Sequence, residues 1–318
     1  MKAIIVTFGP SLMANSILEE VHKSNFIYRI NGAHANKELM VKSIDFIRSK
    51  IEKPKILIDL PGNKIRTSNT FEPIEIKKGD KFTLKSNDTN FSSLSKYISI
   101  NDSVYADDST LHLIVNEIKK ENIVFISNSV GTLKENKGIH IRGIHDNLPF
   151  LFERDYELID LANNYEIDYV GLSFVRNVKD ILDAKKLINN KVKIIEKVET
   201  KASIENLDQI LSLVNYILID RGDLSTDVGI EKVPFYQKLI VDRALFNNIN
   251  VFLATQFLKN MEKKPLPLIA EAVDLYNSFK MGIYGIQLSE ETAVGMYPKE
   301  CLTFVNTLMN QINSEKII

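Results

Sequence analysis

Eight short, β-branched apolar runs alternate with helix-period stretches along most of the chain. This alternation constrains the fold more than any other feature. The runs predict strands at Ala3–Thr7, Phe26–Ile30, Lys55–Leu60, Asp168–Phe174, Val192–Val198, Tyr216–Asp220, Val251–Thr255 and Gly285–Ser289. Each is compact, as in KILIDL or VFLAT, too short for a helix and flanked by polar residues. Amphipathic patterns lie between most of them: Met40, Ile44 and Ile47 recur at helical spacing, as do Leu158, Leu161 and Ala162. Helical patterns also cover Ile204–Val214 and Phe235–Phe246, and another ends at Met281.

Eight alternating units predict an α/β fold, a (β/α)8 TIM barrel with its parallel sheet closed on itself. Such a barrel takes about 250 residues, and the chain has 318. Most of the surplus falls after the third strand. From Asn69 to about Asn136 the βα rhythm stops, and strand-like runs (PIEIKK, KFTLKS, LHLIVNEI, IVFISN) are split by turn groups such as KKGD and SNDTN. The predicted organisation is therefore a barrel from 1–68 and 137–318, with a small all-β domain, 69–136, inserted after the third strand and able to hinge over the barrel mouth.

Composition narrows the function. Forty Lys+Arg against 41 Asp+Glu give a net charge of −1, which excludes a general electrostatic hold on nucleic acid or an anionic membrane. A local basic pocket is still allowed. The single cysteine, Cys301, excludes an intrachain disulfide framework and a cysteine-built zinc site, and its place in the last helical pattern makes it a core residue. No apolar run approaches a membrane span or a signal h-region, so a cytoplasmic location is expected.

In such barrels chemistry sits at the C-terminal ends of the strands. Gly9-Pro10 follows the first strand. Arg29 and Asn31 end the second. Asp59, then Lys64 and Arg66, follow the third. Lys197 and Glu199 end the fifth, Asp220-Arg221-Gly222-Asp223 the sixth, Thr255-Gln256 the seventh and Ser289-Glu290-Glu291-Thr292 the eighth. Arginines suit a phosphate by bidentate donation. Glu199 and Asp223 suit a hard divalent cation such as Mg²⁺, which takes one or two protein carboxylates and fills its shell with water and substrate oxygens. Lys197 beside it can stabilise charge on a transferred phosphoryl group or an enolate. The pattern points to metal-assisted phosphoryl or enolate chemistry.

The ordered segments VTFGPS, RINGAH, LIDLPGNKIRT, KGIHIRG, IIEKVET, RGDLSTDVG, ATQFLKNMEKKPLPLIAEAVD and LSEETAVGMYP resemble the pyruvate kinase family over essentially the whole chain. The resemblance implies a barrel with a β-rich lid and transfer of phosphate from phosphoenolpyruvate to ADP, giving pyruvate and ATP. It implies that Glu199 and Asp223 hold Mg²⁺ or Mn²⁺, that the Gly222 and Asp223 amides receive the substrate carboxylate, and that Lys197 and Arg29 act on the phosphoryl group. Thr255, with Ser289 and Glu291 behind it, falls on the proton path to the enolate carbon. Thr7, Pro10, Asn31, His34, Arg66 and Lys137 match positions around the nucleotide, and Asp107-Asp108 matches the lid's acidic turn.

The sequence also departs from the family pattern. Ala33, Leu60 and Lys64 stand where many members have the Ser, Thr and Glu of a K⁺ site. We therefore expect Lys64, paired with Asp59, to replace that ion and activity not to require K⁺. Asn63, Ser109, Ser225-Thr226 and Val294 are further departures. The family's C-terminal regulatory domain is not expected beyond Ile318, which predicts hyperbolic, effector-insensitive kinetics and leaves the barrel helices as the surface for a homodimer. Alternative readings are a phosphoenolpyruvate or pyruvate-enolate enzyme with another phosphoryl acceptor, a lyase, and a non-catalytic phosphoenolpyruvate-binding paralogue. Arg29, Arg66 and Lys137 argue against the lyase, and the intact Lys197, Glu199, Asp223 and Thr255 against the paralogue.

Overall fold

The computed structural model describes residues 2–14, 17–33, 35–107, 110–141 and 143–315. The chain divides into two compact units, Met1–Gly62 with Leu151–Ile318, and Asn63–Phe150.

The first unit is a closed barrel of eight parallel strands: β1 (Ala3–Thr7), β2 (Phe26–Asn31), β3 (Lys55–Asp59), β4 (Tyr169–Leu172), β5 (Lys193–Val198), β6 (Tyr216–Asp220), β7 (Asn250–Ala254) and β8 (Gly285–Leu288). Each strand pairs with its sequence neighbours, and β1 closes on β8 with Ala3 opposite Gly285 and Val6 opposite Leu288. All eight predicted runs are strands. Two, the fourth and the seventh, end before their apolar text does because the backbone turns left-handed just beyond them. Phe174 has φ +55° and Thr255 φ +79°, and neither value can continue a strand.

Helices pack outside the strands by their apolar stripes. In Lys37–Lys50 the Asn36 side chain caps the start by accepting from the Leu39 amide, Met40, Ile44 and Ile47 are buried, and Arg48 and Lys50 sit in the last turn, favourable to the helix dipole. Asn177 caps Val178–Leu187 in the same way. The stretch expected as one helix over Ile204–Val214 is instead two short ones, Lys201–Glu205 and Leu207–Leu211, broken at Asn206. The Asn206 side-chain amide there donates to the Arg176 and Ala202 carbonyls. Cys301 is fully buried in Pro298–Glu315. Among the described residues no helix is long and apolar enough to cross a membrane.

The barrel interior positions the site. Ala3, Ile5, Ile27, Leu57, Tyr169, Ile195, Leu218, Phe252 and Ala254 form one buried layer. Side chains on a strand repeat every second residue. Two residues further along the same strands therefore come Thr7, Arg29, Asp59, Gly171, Lys197 and Asp220, a polar ring above the apolar layer. Gly171 is glycine for a reason of space: a Cβ there would lie 2.6 Å from Asp59 Oδ1. Glu196 is out of phase with Ile195 and Lys197. It is fully buried and neither carboxylate oxygen has a hydrogen-bond partner. Burial, with Glu199 nearby, pushes its carboxyl well above the usual range.

The second unit is antiparallel β structure. A five-stranded sheet runs in the order Ile139–Ile141, Ser103–Ala106, Leu111–Lys119, Asn122–Ser127, Lys81–Leu84, and Ile74–Ile76 pairs with Gly131–Leu133. Leu111, Leu113 and Val115 alternate buried with half-buried neighbours, the pattern of a sheet covered on one face. The unit is wider than the 69–136 expected, because the flanking segments belong to it. Arg66 bridges Gly138, Thr67 bridges Thr89, and the Ile139 amide donates to the Ile65 carbonyl.

Candidate active site

Arg29, at the end of β2, is buried and held on two sides. Its Nε and Nη2 both donate to Asp59 Oδ2, at 2.8 and 2.6 Å. Its Nη1 donates to the Thr7 hydroxyl at 2.9 Å, and that hydroxyl donates in turn to the Leu288 carbonyl at 2.7 Å. Three strand ends thus fix one guanidinium, and Thr7 acts here as its prop.

Lys197 reaches the same mouth from β5. Its ammonium is 3.1 Å from Glu199 Oε2, 3.5 Å from Asp220 Oδ2 and 3.9 Å from Asp59 Oδ2. It also donates to the Ser173 hydroxyl at 3.0 Å, which donates to the Leu60 carbonyl. Burial alone would depress an amine, but the fields of Asp59, Glu199, Asp220 and Asp223 outweigh it and hold Lys197 protonated above its usual range. Glu199 is fully buried. Desolvation raises its carboxyl, Lys197 opposes, and Asp223 and Asp220 raise it further. Its Oε1 accepts from the Phe174 amide at 2.7 Å, while Oε2 is buried without a hydrogen bond.

Glu199, Asp220 and Asp223 each bring one carboxylate oxygen within 4.8 Å of the others. These residues fit a divalent cation. The donors are all hard oxygens. Asp59 joins the same cluster through the Lys197 ammonium.

Thr255 closes the ring from β7. Its hydroxyl donates to Asp220 Oδ1 at 2.7 Å, the oxygen that also accepts from the Gly222 amide at 3.1 Å. Thr255 and Gln256 both have positive φ, +79° and +57°, an unusual backbone for a β-branched residue and one that costs on the order of 1–3 kcal/mol. Beyond β8, the Ser289 amide donates to Glu291 Oε2 at 2.7 Å. Glu291 is buried, and desolvation raises its carboxyl.

Pro10 is exposed at the first turn of Pro10–Met13, and Asn31 Oδ1 accepts from the Ala33 amide at 3.0 Å. His34, Asp108 and Ser109 lie outside the described residues. Within the second unit, Lys137 Nζ is 2.6 Å from Asp107 Oδ1, Arg66 Nη1 donates to the Asn136 carbonyl at 3.2 Å, and Lys64 is half-buried.

The family model for the pyruvate kinase barrel domain matches residues 1–302. The chain belongs to the pyruvate kinase family. It is 33% identical to the pyruvate kinase of Thermococcus litoralis over 315 residues, 93% of this chain and 66% of that protein. The Borreliella burgdorferi pyruvate kinase is 30% identical over 98% of this chain and 68% of its own length, and that of Thermotoga maritima 31% over 97% and 70%. The chain thus spans about two thirds of the length of these relatives.

The barrel unit brings Thr7, Arg29, Asp59, Lys197, Glu199 and Thr255 into one network of contacts, with Thr255 joined through Asp220. Sequence reasoning missed two residues. Ser173 seats the Lys197 ammonium, and its only signal was parity with the inward Tyr169. Asp220 was visible at a strand end but was given no role. Its signal was parity with the inward Leu218, which turns its carboxylate toward Lys197 and Thr255.

Proposed function

We propose that this pyruvate kinase family member transfers the phosphoryl group of phosphoenolpyruvate to ADP, yielding pyruvate and ATP. The observation that supports the reading most is the convergence at one barrel mouth of Arg29, Lys197, Glu199 and Thr255. Glu199 and Asp223 would hold Mg²⁺ or Mn²⁺. Such an ion supplies positive charge to the transferred phosphoryl group and to the enolate that departs from it.

The chain's own residues do the rest. Arg29, locked by Asp59 and Thr7, offers a preorganised guanidinium to the phosphate, so little side-chain freedom is lost on binding. Lys197 places its ammonium where negative charge grows as the enol oxygen–phosphorus bond breaks and the bond to the ADP oxygen forms. The Gly222 and Asp223 amides, in the first turn of Arg221–Val228, would receive the substrate carboxylate, the Gly222 amide sharing its proton between that carboxylate and Asp220 Oδ1. Thr255, with Ser289 and Glu291 behind it, handles the proton that converts the enolate to pyruvate. A nucleotide role is proposed for Thr7, acting through Arg29, and for Pro10, Asn31 and His34, and separately for Arg66 and Lys137 of the second unit.

K⁺ independence is part of the proposal. Leu60 and Ala33 provide no side-chain oxygen, and Asp59 already carries the Arg29 guanidinium; Lys64 is proposed to take the ion's place. A homodimer through the barrel helices is also proposed, on the exposed Ile269 and Val273 of Ile269–Lys280. The test is pyruvate formation from phosphoenolpyruvate and ADP. Turnover that requires a divalent ion and is lost in Lys197→Ala supports the assignment. Binding of phosphoenolpyruvate without turnover contradicts it.

A further inference from the structure

One side chain at the mouth, which shares a carboxylate cluster with Glu199 and Asp223, also contacts Lys197, Gly222 and Thr255 and is given no step in the proposed function. Asp220 Oδ1 accepts the Thr255 hydroxyl at 2.7 Å and the Gly222 amide at 3.1 Å, and Oδ2 stands 3.5 Å from the Lys197 ammonium. The next residue, Arg221, holds the other end of Thr255. Its Nε donates to the Thr255 carbonyl at 3.1 Å, its Nη1 pairs with Asp274 at 2.8 Å, and its guanidinium stacks 4.2 Å from the Phe257 ring centre. Two consecutive residues at the end of β6 therefore grip Thr255 by hydroxyl and carbonyl, across a backbone at φ +79°.

We propose that Asp220 is the positioning residue for Thr255, fixing both the place of its hydroxyl and its hydrogen-bond polarity. The proposal rests on the phosphotransfer reading. A hydroxyl has one proton to donate. With that proton directed at the Asp220 carboxylate, Thr255 turns a lone pair toward the pyruvate methyl; a methyl proton that moves to its oxygen is matched by its own proton moving to Asp220 Oδ1, and the reverse relay protonates the enolate carbon. Free rotation would otherwise let the hydroxyl donate to any nearby oxygen. Asp220 thereby separates two kinds of work at the mouth: its Oδ1 governs the proton side, while Glu199 and Asp223 carry the ion.

The test compares Asp220→Asn, Asp220→Ala, Thr255→Ala and the double variant Asp220→Ala/Thr255→Ala. Exchange of the pyruvate methyl hydrogens with D₂O, followed by NMR with Mg²⁺ and inorganic phosphate present, reads the proton step alone. Mn²⁺ titration by electron paramagnetic resonance reads the ion site without turnover. Asp220→Ala should slow methyl exchange about ten- to hundredfold, the size of losing one hydrogen bond to a charged group. The KM for phosphoenolpyruvate and the Mn²⁺ affinity should stay within about threefold, Asp220→Asn should recover part of the exchange, and Asp220→Ala should add less than about twofold once Thr255 is already alanine.

Two results overturn the proposal. A loss of Mn²⁺ affinity beyond tenfold in Asp220→Ala makes Asp220 an ion ligand. An equal loss of exchange with and without Thr255 shows that it does not act through that hydroxyl. If the unaltered chain neither turns over nor exchanges, the phosphotransfer reading falls. The Thr255 methyl resonance of threonine-labelled protein, assigned by its absence in Thr255→Ala, then still decides on Asp220: a shift in Asp220→Ala upholds the hydrogen bond and no shift removes it.

Discussion

Lys197 is a buried ammonium whose charge is maintained by four carboxylates rather than by water. Its alanine variant loses an ammonium proposed to act, beside Arg29, on the transferred phosphoryl group and leaves Glu199 and Asp220 without the cation between them. Steady-state kinetics should show kcat down by at least about a thousandfold; a loss of under tenfold would mean that the ammonium is structural. Arg29→Lys is a subtler probe. A lysine cannot make the paired contacts to Asp59 Oδ2 and Thr7 together. The KM for phosphoenolpyruvate should rise about tenfold or more while the fold persists by circular dichroism. Cys301, fully buried and with its thiol pushed up by burial, should react with a thiol reagent only after unfolding; prompt labelling of the native chain would contradict its core position.

At the scale of elements, strand ends and helix starts carry both the site and its costs. Asp155, inside the first turn of Glu153–Asn164, accepts from the Phe152 and Gly62 amides at 2.7 and 2.9 Å. Desolvation nevertheless pushes its carboxyl up from 3.8 to about 6. The folded state therefore binds this proton more tightly than the unfolded state. The associated stability is fully present below about pH 4 and is lost as pH rises through about 6, by up to about 3 kcal/mol. Denaturant titrations across that window should show the decline for the unaltered chain and a flatter profile for Asp155→Asn. Gly9, before Pro10–Met13, is equally specific: a Cβ there would meet the Ala293 carbonyl oxygen at 2.4 Å. Gly9→Ala should lower the unfolding free energy by about 2 kcal/mol or more, and an unchanged midpoint would show that the Glu290–Ala293 turn can yield.

The same elements show what was legible in the sequence. The eight strands were, because buried parallel strands are written as short apolar runs that little else imitates. The places of Lys197, Glu199 and Asp223 were, because Lys197 and Glu199 stand at the end of β5 and Asp223 in the first turn after β6. Asp220 and Ser173 lacked a role because their partners are distant along the chain: Thr255 is 35 residues from Asp220, and Lys197 is 24 from Ser173. The limits of the inserted unit were also obscure, since its flanks join it through single bridges such as Arg66 to Gly138, which leave no periodic trace.

For the whole molecule, the proposed division of labour has a thermodynamic consequence. A barrel mouth that gathers carboxylate oxygens of Glu199, Asp220 and Asp223 within 4.8 Å of one another should be stabilised by a divalent ion that fills it. Thermal unfolding with Mn²⁺ at about a hundredfold above its dissociation constant should gain about 2.7 kcal/mol, a shift of a few degrees for a chain of this length. Glu199→Gln with Asp223→Asn should abolish that shift, and its survival would place the ion elsewhere. The central claim, that this family member is a divalent-ion-dependent and K⁺-independent phosphotransferase, is tested most directly by one assay. Pyruvate formation from phosphoenolpyruvate and ADP is followed with Mg²⁺, with and without K⁺, beside the Lys197→Ala control. The account predicts turnover without K⁺, little change on adding it, and none in the control. Turnover that appears only with K⁺ would contradict the role given to Lys64 and Asp59, and an unaltered chain no more active than the control would contradict the phosphotransfer itself.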